Sequence, residues 1–146
     1  PAGKVFQAGT LSGNPLATAA GLETIRMLIE ESPYEMLDSL GRRLGEGLSK
    51  AASEAGIAHQ LQRVGSMMTL FFNDHPVTNW TQADRSDRSR YADFFWGMIH
   101  QGHYFPCSQF EALFFSIQHE PGMIEETIEA AVRTLQWMAD GIRLRP

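Results

Sequence analysis

The spacing of apolar residues divides this chain into segments of different character. "PLATAAGLETIRMLIEE" carries Leu22, Ile25 and Ile29 at helical spacing, with Leu28 beside them. Asn14 reads as the N-cap of that helix, Pro15 as its first position, and Glu31 as its approximate end. "SPYE" then restarts the chain, with Ser32 expected to cap, Pro33 to open a second helix and Glu35 to complete a capping box. Leu37, Leu40, Leu44, Leu48, Ala51 and Ala55 form one apolar stripe, and Gly56 is its stop signal.

Beyond Gly56 the period shortens. "AHQLQRVGSMMTLFFN" is rich in β-formers and broken at Gly65, which predicts two strands or one bent strand, with Met67 to Asn73 the clearer half. "DHPVTNWTQADRSDRSR" reads as a polar loop, and its charge run from Asp84 to Arg90 as a solvated surface. Tyr91 to Gln101 predicts a short aromatic helix with Phe94, Phe95, Met98 and Ile99 inward and Gly102 as its stop. "HYF" and "ALFFSI" read as two more strands joined by "PCSQFE". A last amphipathic helix follows Pro121, with Ile124, Ile128, Val132, Leu135 and Ile142 expected inward. Short strands with few helical crossovers predict an α+β domain, a small and mostly antiparallel sheet covered by helices.

Composition narrows the function classes. At 146 residues the chain is long enough for one domain with a real core. The net charge of −5 argues against nucleic acid as a partner, because phosphate binding needs a basic face. No apolar run has the length of a membrane helix, and no signal peptide is evident. The single cysteine, Cys107, excludes an internal disulfide and fits a reducing, cytoplasmic setting. It reads as an unpaired loop thiol rather than a nucleophile, since no paired base is evident. The chain opens "PAGKV" without an initiator Met, and the expectation is that a preceding segment has been removed.

Three places could carry chemistry. In "FQAGTLSGNPLATAAG", Gly9 and Gly13 let backbone approach a ligand, Thr10 and Ser12 offer hydroxyls, and a helix N-terminus attracts anions. This is either a phosphate cradle without a P-loop lysine or a glycine turn with an ordinary cap. His100 and His103 straddle Gly102 and lack a third ligand at suitable spacing, so no metal site is expected. His119 and Glu120 read as turn residues. Glu111 lies between Phe110 and Ala112, where a carboxylate is either an edge residue facing water or a group aimed into a pocket.

Taken together, these segments resemble one family. "FQAGTLSGNPLATAAGLETI" resembles the stretch that follows the catalytic lysine in the glutamate-1-semialdehyde 2,1-aminomutases. "RVGSMMTLFF", "HPVTNW", "SDRSRYADFFWGMIHQGHYF" and "SQFEALFFSIQH" resemble the same family in the same order. The "GT…GNP" pattern belongs to the wider class III aminotransferases, whereas "GSM…FF…PV" and "SQFEA" point to the aminomutase branch.

The resemblance implies a pyridoxal-phosphate (PLP) enzyme of fold type I, a homodimer that converts glutamate-1-semialdehyde to 5-aminolevulinate for tetrapyrrole synthesis. It implies that Thr10, with the backbone of Gly9 beside it, holds the cofactor phosphate in the partner subunit's site. It gives Glu111 a role too. Relatives that handle α-amino acids place an arginine there to grip the α-carboxylate. Neither the substrate nor the product of the aminomutase has a carboxylate on its aminated carbon, and a diamino intermediate is better served by a carboxylate. By the same resemblance, residues 1–31 are the end of the large PLP-binding domain and residues 32–146 a C-terminal small domain.

The chain departs from the family pattern in lacking the Schiff-base lysine. Its only lysines are Lys4 and Lys50, and neither is placed to substitute. Residues that stack on the cofactor ring and pair with its pyridine nitrogen are absent as well. Cys107 stands where proline or a small residue is expected, and "HEPG" replaces a more usual His-Thr opening to the last helix. The expectation is therefore a C-terminal fragment, inactive alone. The rival readings are another class III aminotransferase, such as an ω-amino-acid enzyme, and a non-catalytic binding or dimerisation module.

Overall fold

A computed structural model describes residues 3–4 and 8–146. The chain forms two compact units, the first ending at Pro33 and the second running from Tyr34 to Pro146.

The first unit contains α1 (Pro15–Glu31). Asn14 starts it, its Oδ1 accepting from the amides of Leu16 at 3.1 Å and Ala17 at 3.2 Å. None of the helix is buried; Leu22, Ile25 and Ile29 are all exposed. Ser32 ends it in the left-handed region, at φ 42, and its amide donates to Leu28 O at 3.2 Å. Ser32 therefore closes the first helix instead of opening the next. The expected capping box is not formed, because a residue in that conformation with its amide committed backwards does not have the extended backbone of an N-cap.

The second unit contains α2 (Tyr34–Glu54), β1 (Gln60–Val64), β2 (Met67–Phe71), α3 (Trp80–Ala83), α4 (Arg88–His100), β3 (Leu113–Phe114) and α5 (Pro121–Ala139). The sheet runs β1-β2-β3 with both pairings antiparallel, so the architecture is α+β as expected. Gly65, at φ 56, turns the chain between Val64 and Met67, which makes the segment two strands and not one bent one. The core joins Leu40, Leu44 and Leu48 of α2, Met68 and Leu70 of β2, Phe94 and Met98 of α4, and Ile124 and Leu135 of α5.

Several boundaries differ from the expectation. The polar loop contains α3, capped by the side chain of Asn79, which accepts from Gln82 N at 3.0 Å. The fourth helix begins at Arg88 because Asp87 caps it, accepting from Arg90 N at 2.9 Å. "HYF" is not a strand. Phe105 is buried in the core and Tyr104 faces solvent, while β2 already has β1 and β3 as its two neighbours. "ALFFSI" contributes only Leu113 and Phe114.

In α5, Val132 is exposed, whereas Ala130, Ala131 and Thr134 are buried; Ile142, expected inward on the same helix, lies beyond its end at Ala139 and is exposed. The helix turns its small residues inward because its neighbours come close. A Cβ on Gly97 of α4 would lie 2.5 Å from Thr134 Cγ2.

α2 is approached from two sides in the same way. A Cβ on Gly41 would collide with the Gly65 carbonyl of the β1–β2 turn, and one on Gly47 would lie 2.6 Å from Ile128 Cδ1 of α5. Polar ties reinforce both contacts. Arg63 Nη1 donates to Asp38 Oδ1 at 2.7 Å and to Gly65 O at 2.9 Å, joining the hairpin to α2. Arg43 grips Glu125 with two bonds, 2.6 Å and 2.8 Å long, joining α2 to α5. Arg63, and then Arg42, hold the Asp38 carboxyl below its usual range. Its contribution to stability is thus present above the ordinary carboxylate range and fades as pH falls through that lowered value.

Gly41→Ala is expected to destabilise the chain by roughly 1–3 kcal/mol, because backbone rather than a flexible side chain blocks the new methyl. Gly122→Ala, where a Cβ meets nothing within 4 Å, should be neutral or mildly stabilising. Thermal unfolding followed by circular dichroism checks both, at roughly 2–4 °C per kcal/mol for a chain of this size.

Candidate functional site

The candidate residues lie in different units, Gly9 and Thr10 in the first and Glu111 in the second.

Gly9 and Thr10 open two overlapping turns, in which Ser12 N donates to Gly9 O at 3.0 Å and Asn14 N to Leu11 O at 3.0 Å. Gly13, at φ 75, carries the chain out of them and into α1. A Cβ on Gly9 would collide with Ser12 Oγ, so the glycine leaves room for that hydroxyl. The helix terminus behind the turn is not open. Pro15 has no N–H, the Leu16 and Ala17 amides go to Asn14 Oδ1, and Thr18 N goes to Asn14 O at 2.9 Å. The cap thus occupies the first-turn amides, and the turn ahead of it holds the remaining donors. The donors left are the exposed hydroxyls of Thr10 and Ser12 and the amides of Gly9, Thr10, Leu11 and Gly13, which have no partner among the described residues.

In the second unit the turn "PCSQFEA" is fixed at three points. Tyr91 of α4 donates its hydroxyl to Pro106 O at 2.8 Å. Ser108 closes the turn on itself, its Oγ accepting from Phe110 N at 3.2 Å and its carbonyl from Glu111 N at 3.1 Å. The Phe110 ring packs with Phe71, Val77 and Ala83, stands 5.2 Å from the Trp80 ring and lies 5.1 Å beneath Arg88 Cζ. Glu111 follows these anchors with its side chain exposed and no ion pair or side-chain hydrogen bond among the described residues. A recess of about 10 Å³ beside it is lined by Tyr91, Pro106, Thr69 and Leu113. Cys107 is exposed on the same turn.

The sequence reading passed over Trp80, Arg88 and Tyr91 in this role. Arg88 lay inside the charge run taken for solvated surface. It does pair with Asp84, but it also reaches Phe110. A usable signal was present, since Arg88 and Tyr91 stand three apart and share a helix face once Asp87 is recognised as the cap.

The remaining candidates are scattered. His103 bonds Thr127 Oγ1 at 3.2 Å, whereas His100 sits beside Trp96 on α4. Among the described residues no group of three or more His, Cys, Asp or Glu side chains is placed to hold a metal ion. Lys50 lies 3.8 Å from Glu54 on an exposed face. No helix among the described residues is long and apolar enough to cross a membrane.

The family profile described as "Aminotransferase class-III" matches residues 1–107. This chain belongs to the class-III aminotransferase family. It is 59% identical over 136 residues to the glutamate-1-semialdehyde 2,1-aminomutase of Rhodopirellula baltica, a match covering 93% of this chain and 31% of that protein. The protein of the same name from Sulfurihydrogenibium azorense is 51% identical over 131 residues, covering 90% and 31%. Among solved structures, the PLP form of the FumI protein of Sphingopyxis sp. MTA144 aligns with a TM-score of 0.72 at 27% identity, covering 98% of this chain and 32% of that one. This class-III chain thus spans about a third of the length of the curated relatives it matches.

The anchoring of the Glu111 turn has a measurable signature. Burial first, and then the nearby Cys107 and Glu111, push the Tyr91 phenol well above the usual tyrosine range. A phenol whose folded pKa is raised contributes stability that is complete below the unfolded value and is lost as pH rises through the folded one. Stability should therefore fall as pH climbs above about 10, the ordinary tyrosine value, and Tyr91→Phe should flatten that fall. The same variant should lose roughly 0.5–1.5 kcal/mol at neutral pH from the missing bond to Pro106. Urea unfolding at neutral and alkaline pH measures both.

Proposed function

We propose that this chain is the C-terminal part of a PLP-dependent aminomutase that converts glutamate-1-semialdehyde to 5-aminolevulinate. The observation that carries the reading is the 59% identity to an aminomutase across 93% of the chain. The local geometry agrees with it. The Gly9–Thr10 turn offers exposed hydroxyl and amide donors without partners among the described residues, which fits a phosphate, although the donors belong to the turn and not to the helix end. Bound PLP supplies an electron-withdrawing ring that acidifies the carbon bearing the amine.

The contribution of this chain's own residues is to bind and to select. Thr10 donates its hydroxyl to the phosphate, across the interface of a cytoplasmic homodimer. Glu111 holds a carboxylate without a partner among the described residues, on a turn fixed by Tyr91, Trp80 and Arg88. A fixed anion favours an intermediate with two amino groups, and it repels a substrate with a carboxylate on its aminated carbon. Residues up to Glu31 close the large domain, and the unit from Tyr34 onward is the small one. Lys4 and Lys50 do not supply the Schiff base, and the chain by itself is inactive.

The test uses the full-length protein that contains this chain. Thr10→Val is expected to speed cofactor loss by about one to two decades, the worth of a charge-assisted hydrogen bond. Glu111→Gln should release the diamino intermediate faster, and Glu111→Arg should lower aminomutase turnover while improving reaction with glutamate. Cofactor release and product are both followed by absorbance. An unaltered protein that retains PLP but leaves glutamate-1-semialdehyde unconverted would overturn the assignment.

A further inference from the structure

The Glu111 turn contains one polar side chain that its anchors do not account for. Gln109 is 2% exposed, and both its amide oxygen and its amide nitrogen are closed off from solvent without a hydrogen-bond partner among the described residues. The groups around it are satisfied. Pro106 O receives Tyr91, Ser108 Oγ receives Phe110 N, and Ser108 O receives Glu111 N. Gln109 is therefore a buried, unmatched side chain in a turn whose anchoring bonds are made by its neighbours.

Burying an amide without partners raises the free energy of that state, whereas an apolar side chain of similar length in the same place would lower it. The closed turn is thus held above the level that its packing alone would give. A turn in which the amide reaches solvent or a ligand recovers those hydrogen bonds. Pro106 is tied to Tyr91, and Phe110 is held by Trp80 and Arg88, so movement between them is confined to a few residues. The Glu111 N to Ser108 O bond spans residue 109, so an opening of the turn backbone that carries Gln109 outward breaks it.

We propose that Gln109 is a positioning residue for Glu111: its unmatched amide keeps the turn ready to open, and opening re-aims the Glu111 carboxylate. The use made of that motion rests on the role of Glu111 given above; the motion itself does not.

The experiment is hydrogen exchange on this 146-residue chain and on Gln109→Met and Gln109→Leu, with thermal unfolding alongside. Both variants are expected to melt above the wild type. Exchange of the Glu111 amide should slow by roughly tenfold or more, the size expected when one unmatched buried group is removed. Amides in the core of α2, such as that of Leu48, should slow only as far as global stability rises. Gln109→Ala, which leaves a hole, should melt lower and leave Glu111 exchange unslowed.

Unchanged Glu111 exchange in the apolar variants overturns the proposal, and so does failure of both to fold, since either result means the amide is satisfied inside, for instance by a bound water. None of these measurements requires catalysis. A neutral Glu111→Gln in the full-length protein would remove the catalytic reading and leave the exchange result standing.

Discussion

The second unit depends on α2 lacking side chains where its neighbours come closest. Gly41 lets the β1–β2 turn lie against the helix backbone, and Gly47 lets α5 lie against the other side. Leu40, Leu44 and Leu48 supply the apolar surface of the same helix, but leucines alone would hold the hairpin and α5 further apart. The Arg43–Glu125 pair is exposed, so it adds direction more than energy, whereas the Asp38–Arg63 pair is half-buried and ties the hairpin more firmly to the helix. α4 repeats the device, with Gly97 accepting Thr134 and Leu144. Close approach at these points lets a small sheet and three helices share one core.

That packing fixes where the Glu111 turn can be. α4 is held to α5 through Gly97, which sets the position of Tyr91 and Arg88, and these two grip the turn at Pro106 and Phe110. Glu111 is thus placed both by its neighbours Ser108 and Phe110 and by residues of α3 and α4 that reach the turn in space. The turn at Gly9 and Thr10 is organised differently. Its shape is local, set by Gly13 and by the cap at Asn14, and that cap takes the amides that a helix terminus would otherwise offer to an anion.

Elements with a local signal were legible in the sequence. Asn14-Pro15 marked the start of α1, the leucine stripe marked α2, and Gly65 marked the hairpin. What failed needed information from elsewhere in the chain. "HYF" has β-forming residues but pairs with none of the three strands; Phe105 fills the core instead and the segment stays irregular. Ser32 carries a good capping side chain, yet its backbone was needed to end α1. Val132 matched the helical period of α5, but close packing selected the face that carries Ala130, Ala131 and Thr134. Of the candidate site, Gly9, Thr10 and Glu111 stood out by residue type and motif. Arg88, Trp80 and Gln109 did not, because their significance comes from a ring or a buried amide that folding brings into place.

The hold of Trp80 and Arg88 on Phe110 also bears on how such an enzyme can diverge. The aromatic ring carries the mechanical duty of the turn, and the side chain after it meets water. Exchanging one charge for another at an exposed position generally changes stability by less than about 0.5 kcal/mol. Natural selection can therefore vary the side chain at residue 111 almost independently of the requirement to fold. The anchoring residues form a frame that a lineage can inherit unchanged while its chemistry drifts.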